Sequence, residues 1–342
     1  MIIGAGAVGG AIGGLLAVAG NDVVLVARGD HLEAIRADGL HVATPAGSHT
    51  AGVPAVGAPD ELELHPDDVL VLAVKSQDTT AALTAWSERP VADGGTAGER
   101  LLLVCAQNGV ENERAALRRF DHVAGMCVWL PATYLDPGRV SVSGHPFAGV
   151  LTLGHVPPGR ASRDTDGPGT DPLDMLAGDL EAAGFLAPVV ADVMSWKYAK
   201  LLSNLGNAVD ALCRRPLDDD ASELHSRAMA EGRTVLAAAG VTVVGDEENA
   251  AMRARFTTAE VPGSPRGGGS TWQSLTRGTG STEADYLNGE VVLLGRLHGV
   301  PTPVNALLQR LTDRAGASGS APGSWVARDL LDLLPSDARV GG

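Results

Sequence analysis

Cysteines and long apolar runs are scarce in this 342-residue chain, and basic residues are outnumbered by acidic ones. The three cysteines, Cys105, Cys127 and Cys213, lack the spacing of metal ligands, so we expect neither a disulfide framework nor a metal site. No apolar run reaches membrane-spanning length and no basic leader precedes the first apolar residues, so we expect a cytoplasmic protein. The net charge of −15 opposes general attraction to nucleic acid or anionic lipid, so an anionic ligand requires a local basic pocket.

The composition is that of a folded globular protein, with 44% hydrophobic and 20% charged residues. At this length two domains are the usual arrangement. Buried-strand and glycine patterns occupy the first half of the chain, and helical patterns occupy the second. The sequence therefore predicts an α/β Rossmann-type domain with a parallel sheet over residues 1–191, an all-α domain over residues 192–317, and a loosely attached tail over residues 318–342.

The middle of the chain predicts a loop followed by helices. Glycine, proline, aspartate and serine cluster at Arg160–Pro172, which predicts a flexible loop, and Leu173–Ala183 is predicted as the helix after it. The elements predicted beyond residue 192 are helices at Ser195–Leu212, Ala221–Ala239, Thr271–Arg277, Thr282–His298 and Pro303–Ala315, a short strand at Val241–Val244, and a glycine-rich loop at Pro262–Gly269.

A glycine-rich turn follows the first apolar residues. The GxGxxG pattern precedes a helical pattern, and a second strand at Asn21–Ala27 completes a βαβ unit within about 30 residues. Glycines at this spacing permit a tight turn and close approach of the backbone to a pyrophosphate at the helix N-terminus. The candidate cofactor-binding residues of the turn are Gly4, Ala5, Gly6, Ala7, Val8 and Gly9.

Arg28 follows the second predicted strand, where an enzyme that prefers NAD would carry an acid. An arginine at this position suits a 2′-phosphate and favours NADP, although a surface arginine at a strand end is the alternative. Asp30 is predicted as the N-cap of a helix over His31–Ala37 rather than as a ribose ligand.

Two further polar side chains follow predicted buried strands. Lys75 comes after the run Val69–Val74, and Asn108 comes after the run Leu101–Ala106. Ligands bind beyond the carboxyl ends of strands in open parallel sheets. We therefore expect Lys75 and Asn108 to lie where cofactor and substrate bind.

A polar stripe marks the predicted helix Ser195–Leu212. Lys197, Lys200, Asn204 and Asn207 are spaced three and four residues apart and share one face. A solvated helix face is the alternative, but such faces carry glutamate or arginine more often than carboxamides.

Together these motifs resemble the ketopantoate reductase (2-dehydropantoate 2-reductase) family. The resemblance covers nearly the whole chain, to about Arg314, and several motifs in order are more specific than any one of them. The matching segments are Gly4–Gly9, Val74–Ser76, Gln107–Glu111, Trp196–Asn207 and Ser281–Gly289.

The resemblance implies an NADPH-dependent reduction of a 2-keto acid to a 2-hydroxy acid, as in pantothenate biosynthesis. It implies that Lys200 is the catalytic lysine and that Glu283 contacts the hydroxyl group of the substrate. The implied substrate-binding residues are Asn108, Asn204, Asn207, Ser270 and Thr271, and the implied cofactor contacts outside the turn are Arg28, Lys75 and Asn108.

Two of these roles have alternatives. A cationic donor stabilises the negative charge that develops on a keto oxygen and supplies its proton, and Lys197 is the rival of Lys200 for this role. Glu283 follows Ser281 and Thr282, either of which suits an N-cap, so the acid is also placed to interact with a helix dipole.

Departures from the family pattern fall among the substrate residues. Asn207 follows Asn204 at three residues, whereas Ala208 occupies the four-residue position of the family's second asparagine. Leu217 lies near the place of a further asparagine, and Thr271 replaces a serine. Ketopantoate is therefore one expected substrate, another 2-keto acid is the second, and a non-catalytic NADPH sensor is the third possibility. A homodimer stays open.

Overall fold

The computed structural model describes residues 1–134, 136–159, 171–263, 268–278 and 280–335. The chain folds as two compact units, of which the first contains Met1–Lys197 and Gly245–Pro265. The second contains Tyr198–Val244 and Arg266–Gly342.

The strands of the described residues all belong to the first unit. They are β1 (Ile2–Ile3), β2 (Leu25–Val26), β3 (Leu40–Thr44), β4 (Gly47–Ala51), β5 (Ala55–Val56), β6 (Val69–Leu72), β7 (Leu102–Cys105), β8 (His122–Trp129), β9 (Ala132–Thr133), β10 (Arg139–Val142), β11 (Gly144–His145), β12 (Val150–Val156) and β13 (Thr257–Thr258).

The helices occur in both units, and α7 passes from the first into the second. They are α1 (Ala7–Val18), α2 (Gly29–Asp38), α3 (Thr79–Ser87), α4 (Ala97–Arg100), α5 (Asn112–Ala116), α6 (Pro172–Ala182), α7 (Val193–Asn204), α8 (Gly206–Leu212), α9 (Asp219–Ala238), α10 (Asp246–Arg253), α11 (Ser270–Thr276), α12 (Asn288–His298), α13 (Pro303–Ser318) and α14 (Ala327–Asp332). Short 3-10 helices lie at Pro59–Glu61, Ser76–Asp78 and Ala284–Tyr286.

A mostly parallel sheet forms the centre of the first unit. Within the described residues its strand order is β12-β8-β7-β6-β1-β2-β5, and only β12 runs antiparallel to its neighbour. Leu70, Leu72 and Leu103 are fully buried, as in strands that are covered on both faces. The predicted α/β fold with a parallel sheet is therefore confirmed.

A second sheet of the first unit was not predicted. Its order is β4-β3-β10-β9, with β3 and β10 parallel and β3 and β4 joined as a hairpin. Its strands contact α1, whose glycines allow close packing. A Cβ atom at Gly14 would lie 2.5 Å from Val42 Cγ2 of β3. On the side of the central sheet, a Cβ atom at Gly13 would lie 2.5 Å from Leu25 Cδ2 and 2.9 Å from Ile2 Cγ1.

A segment from the second half of the chain joins the first unit. Antiparallel pairing of β13 with β11 joins Thr258 to Gly144, and the Ala259 amide donates to the Ser143 carbonyl at 2.8 Å. The sequence predicted one passage from the first domain to the second, at residue 192, whereas the chain returns to the first unit at Gly245 and leaves it after Pro265. This pairing spans more than 100 residues and therefore leaves no local sequence signal.

The second unit is helical in the described residues, as predicted, with three differences in its elements. The predicted helix Ser195–Leu212 is divided at Leu205 into α7 and α8, and the predicted helix Thr282–His298 is a 3-10 turn followed by α12. The predicted strand Val241–Val244 is an irregular connection instead.

Most of the predicted loop Arg160–Pro172, which belongs to the first unit, lies outside the described residues, and α6 begins at the last residue of this range.

The region expected to be a loose tail packs against the second unit as far as Leu334. Leu330 and Leu334 are buried, and Arg328 forms an ion pair with Asp220 of α9. The Trp325 amide donates to the Leu212 carbonyl at 2.9 Å. The three leucines at 330, 331 and 334 supply the apolar face that anchors α14.

Among the described residues no helix is both long and apolar enough to cross a bilayer.

Exchange of Gly13 for alanine is expected to lower the free energy of unfolding by about 1–2 kcal/mol. The new methyl group would crowd Leu25 and Ile2, and overpacking costs about 1–3 kcal/mol against a helix-propensity gain of about 1 kcal/mol. Gly178 in α6 is the matched control because a Cβ atom there meets nothing within 4 Å, so Gly178→Ala should be neutral or stabilising. Urea denaturation measures both, and equal effects would contradict close packing at Gly13.

Candidate functional site

Four positions predicted to contact the cofactor follow neighbouring strands of the first unit. The glycine turn follows β1, Arg28 follows β2, Lys75 follows β6, and Asn108 follows β7 by three residues. Since the strand order is β7-β6-β1-β2 and these strands are parallel, the four positions lie along one edge of the sheet. The structure therefore brings this part of the predicted site together.

The glycine turn has the geometry that an anion at a helix N-terminus requires. Gly4 has a φ of +103°, and a Cβ atom there would lie 2.8 Å from the Val74 amide nitrogen. Gly6 is the N-cap of α1, and no side chain of the described residues caps this helix. The amide groups of the first turn of α1 therefore face a place where backbone and ligand can approach closely.

His31 holds the glycine turn to the second sheet. Its Nδ1 accepts from the Gly138 amide at 2.8 Å, so its Nε2 carries the proton and donates to the Ala5 carbonyl at 2.7 Å. The ring also lies 4.5 Å from that of Tyr134, between centroids. Burial lowers the pKa of His31, against a smaller raising effect of the hydrogen bond to Ala5.

Arg28 stands at the N-cap position of α2, and Asp30 lies in the first turn of this helix. The prediction that Asp30 is the N-cap is therefore wrong: α2 begins at Gly29, two residues earlier than the sequence pattern indicated, and a glycine readily adopts the φ of +56° found there. Arg28 Nη2 lies 3.7 Å from Asp78 Oδ2, and both side chains are exposed, at 77% and 44%.

A buried hydrogen-bond network lies behind Asn108, at the ends of β6 and β7. Thr79 Oγ1 donates to Asn112 Oδ1 at 2.7 Å and accepts from Gln107 Nε2 at 2.8 Å. Asn112 Nδ2 in turn donates to Ser76 Oγ and to the Asn108 carbonyl, each at 3.1 Å. The sequence analysis missed this network, which fixes the backbone on both sides of Asn108.

Lys197 is buried in an ion pair and does not lie on a solvated helix face. It is 3% exposed, and its Nζ donates to Glu113 Oε1 and to the Gln107 carbonyl at 3.0 Å. Glu113 is fully buried, and among the described residues its Oε2 has no hydrogen-bond partner. This ion pair joins the start of α7 to the loop that carries Asn108.

Lysine usage is a sequence signal for this ion pair. The chain has three lysines, Lys75, Lys197 and Lys200, beside many arginines. A compact ammonium group and a guanidinium fork are not interchangeable at a buried site. Lys197 occupies such a buried site, beside Glu113, in a chain that otherwise uses arginine.

Lys200 and Asn204 lie one turn apart near the end of α7, before the division at Leu205. The Leu205 carbonyl accepts a hydrogen bond from Asn288 Nδ2 at 3.3 Å, and the same nitrogen donates to Asn305 Oδ1 at 2.9 Å. Asn288 therefore holds the junction between α7 and α8. The sequence analysis included Asn288 in a motif but gave it no role.

Asn207 and Ser270, two predicted substrate residues, are brought together in the second unit. Asn207 Nδ2 donates to Ser270 Oγ at 3.4 Å, whereas Ala208 is buried and 2% exposed. Asp210 supports the same segment, because its Oδ2 accepts from the Gly269 amide at 2.9 Å and its Oδ1 pairs with Arg215. Thr271, the next residue of α11, is buried.

Glu283 stands at the N-cap position of the 3-10 helix Ala284–Tyr286. Its carbonyl accepts from the Tyr286 amide at 3.0 Å. Thr282 Oγ1 accepts from the Ala284 amide at 3.4 Å and donates to Asp313 Oδ1 at 3.3 Å. The hydroxyl of Thr282 therefore supports the turn, which leaves the predicted substrate contact of the Glu283 carboxylate as a prediction.

Family sequence models match both halves of the chain. The model described as ketopantoate reductase PanE/ApbA matches residues 1–158, and the model of its C-terminal region matches residues 192–315. The chain is 32% identical over 317 residues to a 2-dehydropantoate 2-reductase of Archaeoglobus fulgidus, covering 91% of this chain and 95% of that protein.

Solved structures share the fold. A ketopantoate reductase of the PanE/ApbA family from Ralstonia eutropha matches with a TM-score of 0.71 and 29% identity, over 93% of this chain and 99% of that one. A D-mandelate dehydrogenase solved with NADH and anilino(oxo)acetate matches with a TM-score of 0.73 and 21% identity, over 94% and 100%. At that identity the second likeness shows the fold alone.

Loss of one partner of the Lys197–Glu113 pair is expected to be strongly destabilising. Lys197→Met or Glu113→Leu should each cost about 3–5 kcal/mol, because the remaining group is buried without its partner. The double variant Lys197→Met/Glu113→Leu should recover most of this loss. Urea denaturation of the three variants measures the coupling, and additive losses in the double variant would contradict it.

Stability is expected to fall as the pH drops below about 6.5, the usual pKa of histidine. The pKa of His31 is lowered in the folded protein, so the unfolded chain binds more protons between 6.5 and the folded pKa. The contribution of His31 is therefore complete above 6.5 and is lost as the pH falls through this window. Urea midpoints from pH 8 to 5 should fall more steeply for the natural protein than for His31→Gln. Parallel curves would contradict a lowered pKa of His31 in the folded protein.

Proposed function

Because the chain belongs to the ketopantoate reductase family, we propose that it reduces 2-dehydropantoate to pantoate with NADPH. The names of the curated relatives support this substrate. Arg28 and Lys75 are cations that this acidic protein offers to an anionic cofactor at the sheet edge. We assign cofactor binding to the first unit and the substrate residues of α7, α8 and α11 to the second. The expected cytoplasmic location stays a prediction, and a homodimer stays open.

The observation that carries this proposal is the arrangement of α7 and α8. Lys200 and Asn204 occupy the last turns of α7, and Asn207 bonds Ser270 immediately after the junction that Asn288 holds. An amine, two carboxamides and a hydroxyl are the groups that bind a keto acid and stabilise an oxyanion.

The residues of the sheet edge fit a dinucleotide. The amides of the glycine turn and of the first turn of α1 would hold the pyrophosphate, and Arg28 would hold the 2′-phosphate. Lys75 and Asn108 would lie nearer the nicotinamide end. NADPH, when bound, supplies the hydride for C2 of the substrate.

Lys200 is the proton donor in this proposal. As negative charge develops on the keto oxygen, the ammonium group of Lys200 would stabilise it and then transfer a proton to it. Asn204 would orient the substrate, and Glu283 would accept a hydrogen bond from its hydroxyl group. Lys197 is engaged with Glu113, which favours Lys200 over its rival.

Another 2-keto acid is the second candidate substrate. Asn207 follows Asn204 at three residues instead of four, yet its bond to Ser270 keeps a carboxamide in the second unit's substrate region. The shape of the acyl pocket is therefore expected to differ from that of relatives with the longer spacing, and a change of a few contacts can reorder related substrates.

Lys200→Ala is expected to lower kcat/KM by about 10²–10⁴ and to leave NADPH affinity unchanged. The assay follows NADPH oxidation by absorbance with 2-dehydropantoate and a panel of other 2-keto acids, and binding is followed by NADPH fluorescence. Lys200→Arg is the control that keeps the charge but cannot release a proton at neutral pH.

Retained activity in Lys200→Ala would refute the role of Lys200. Turnover of a different keto acid by the natural protein would favour the second substrate. NADPH binding without turnover of any keto acid would favour a sensor.

A further inference from the structure

Arg28 and Asp78 form an ion pair beside the glycine turn. The strand order β6-β1-β2 places Arg28 after β2 and Asp78 after β6, on the two sides of the strand that leads into the turn. Alternate strands of a sheet are about 10 Å apart, and the side chains close this gap, with Arg28 Nη2 and Asp78 Oδ2 separated by 3.7 Å. A dinucleotide on this edge would meet both groups.

The structural contributions of the Asp78 carboxylate are small. Asp78 is the N-cap residue of α3, but its side chain accepts no capping hydrogen bond. Its ion pair with Arg28 is exposed, and pairs of this kind contribute about 0–1 kcal/mol to stability. An acid at a helix N-terminus adds about 0.3–1 kcal/mol through the helix dipole. With stability terms this small, the position of Asp78 beside Arg28 is open to a role in binding.

We propose that Asp78 is a cofactor-specificity residue that reduces the preference of this protein for NADPH over NADH. The proposal rests on the proposed function, in which Arg28 receives the adenosine ribose. A 2′-phosphate bound by Arg28 would bring its negative charges close to the carboxylate of Asp78, and like charges at this distance repel. The 2′-hydroxyl of NADH carries no charge and can donate a hydrogen bond to a carboxylate, as in NAD-preferring proteins.

Lys75 and Asp30 belong to the same edge. Lys75 is the N-cap residue of the 3-10 helix that ends at Asp78, and Asp30 lies in the first turn of α2, two residues after Arg28. The two cations of this edge, Arg28 and Lys75, are therefore accompanied by two acids. Of the two acids, Asp78 is the one in an ion pair with Arg28.

The test is Asp78→Asn in the full chain. The dissociation constant of NADPH should fall about three- to tenfold, and that of NADH should change by less than about twofold or rise. Adenosine 2′,5′-bisphosphate should gain the same factor by calorimetry, and AMP should not. Raising the salt concentration should shrink the difference, because the two groups are exposed.

Glu88→Gln is the matched control, because Glu88 is the C-cap residue of the same helix α3. It removes one negative charge about 15 Å along the helix axis from Asp78, beyond the screening length at ordinary salt. It should change both dissociation constants by less than about 1.5-fold.

Equal gains for NADPH and NADH in Asp78→Asn, or weaker NADPH binding, would overturn the role of Asp78. The double variant Arg28→Ala/Asp78→Asn should show no gain in selectivity for NADPH. A gain that persists in the double variant would also overturn the role of Asp78. A natural protein that binds neither dinucleotide would instead refute the proposed function, and the inference with it.

Discussion

Two opposite charges buried at the end of the parallel sheet set the constraint on which the candidate site depends. Lys197 and Glu113 are each costly to bury, and each is tolerated only because the other is there. Lys197 also binds the Gln107 carbonyl, so the pair fixes the loop that leads to Asn108. The same helix continues to Lys200 and Asn204, so a displacement of Lys197 would shift the start of the helix that carries the proposed proton donor.

Two buried asparagine side chains have a comparable role at other places in the protein. Asn112 ties the loop after β7 to the 3-10 helix after β6, and Asn288 ties the junction of α7 and α8 to α12 and α13. In both places a side chain satisfies backbone or hydroxyl groups that regular structure leaves unpaired. Buried polar residues thus determine where the proposed ligand-binding residues stand.

The sequence predicted the features that depend on neighbouring residues. Continuous apolar runs identified β6 and β7 and thereby located Lys75 and Asn108 at the sheet edge, and the glycine spacing identified the turn before α1. Local patterns were insufficient at α2, where Asp30 suits an N-cap but Arg28 occupies that position. A difference of this size is common at helix ends, where the boundary depends on a single residue.

Features that depend on distant residues were missed. The division of the polar-striped helix at Leu205 involves Asn288, 83 residues later, and Gly206, where a Cβ atom would lie 2.8 Å from the His225 ring. Glu113 lies 84 residues before Lys197, so no spacing rule connects them. The scarcity of lysine was the available signal, and it points to all three lysines without giving their partners.

The return of residues 245–265 to the first unit has a consequence for the order in which the protein is made. Synthesis proceeds from the N-terminus, and domains generally fold as they leave the ribosome. Here α8 and α9 leave the exit tunnel before β13, the last strand of the first unit. On the ribosome, β11 of the first unit therefore lacks its partner strand β13 until after α8 and α9 of the second unit have emerged and can form.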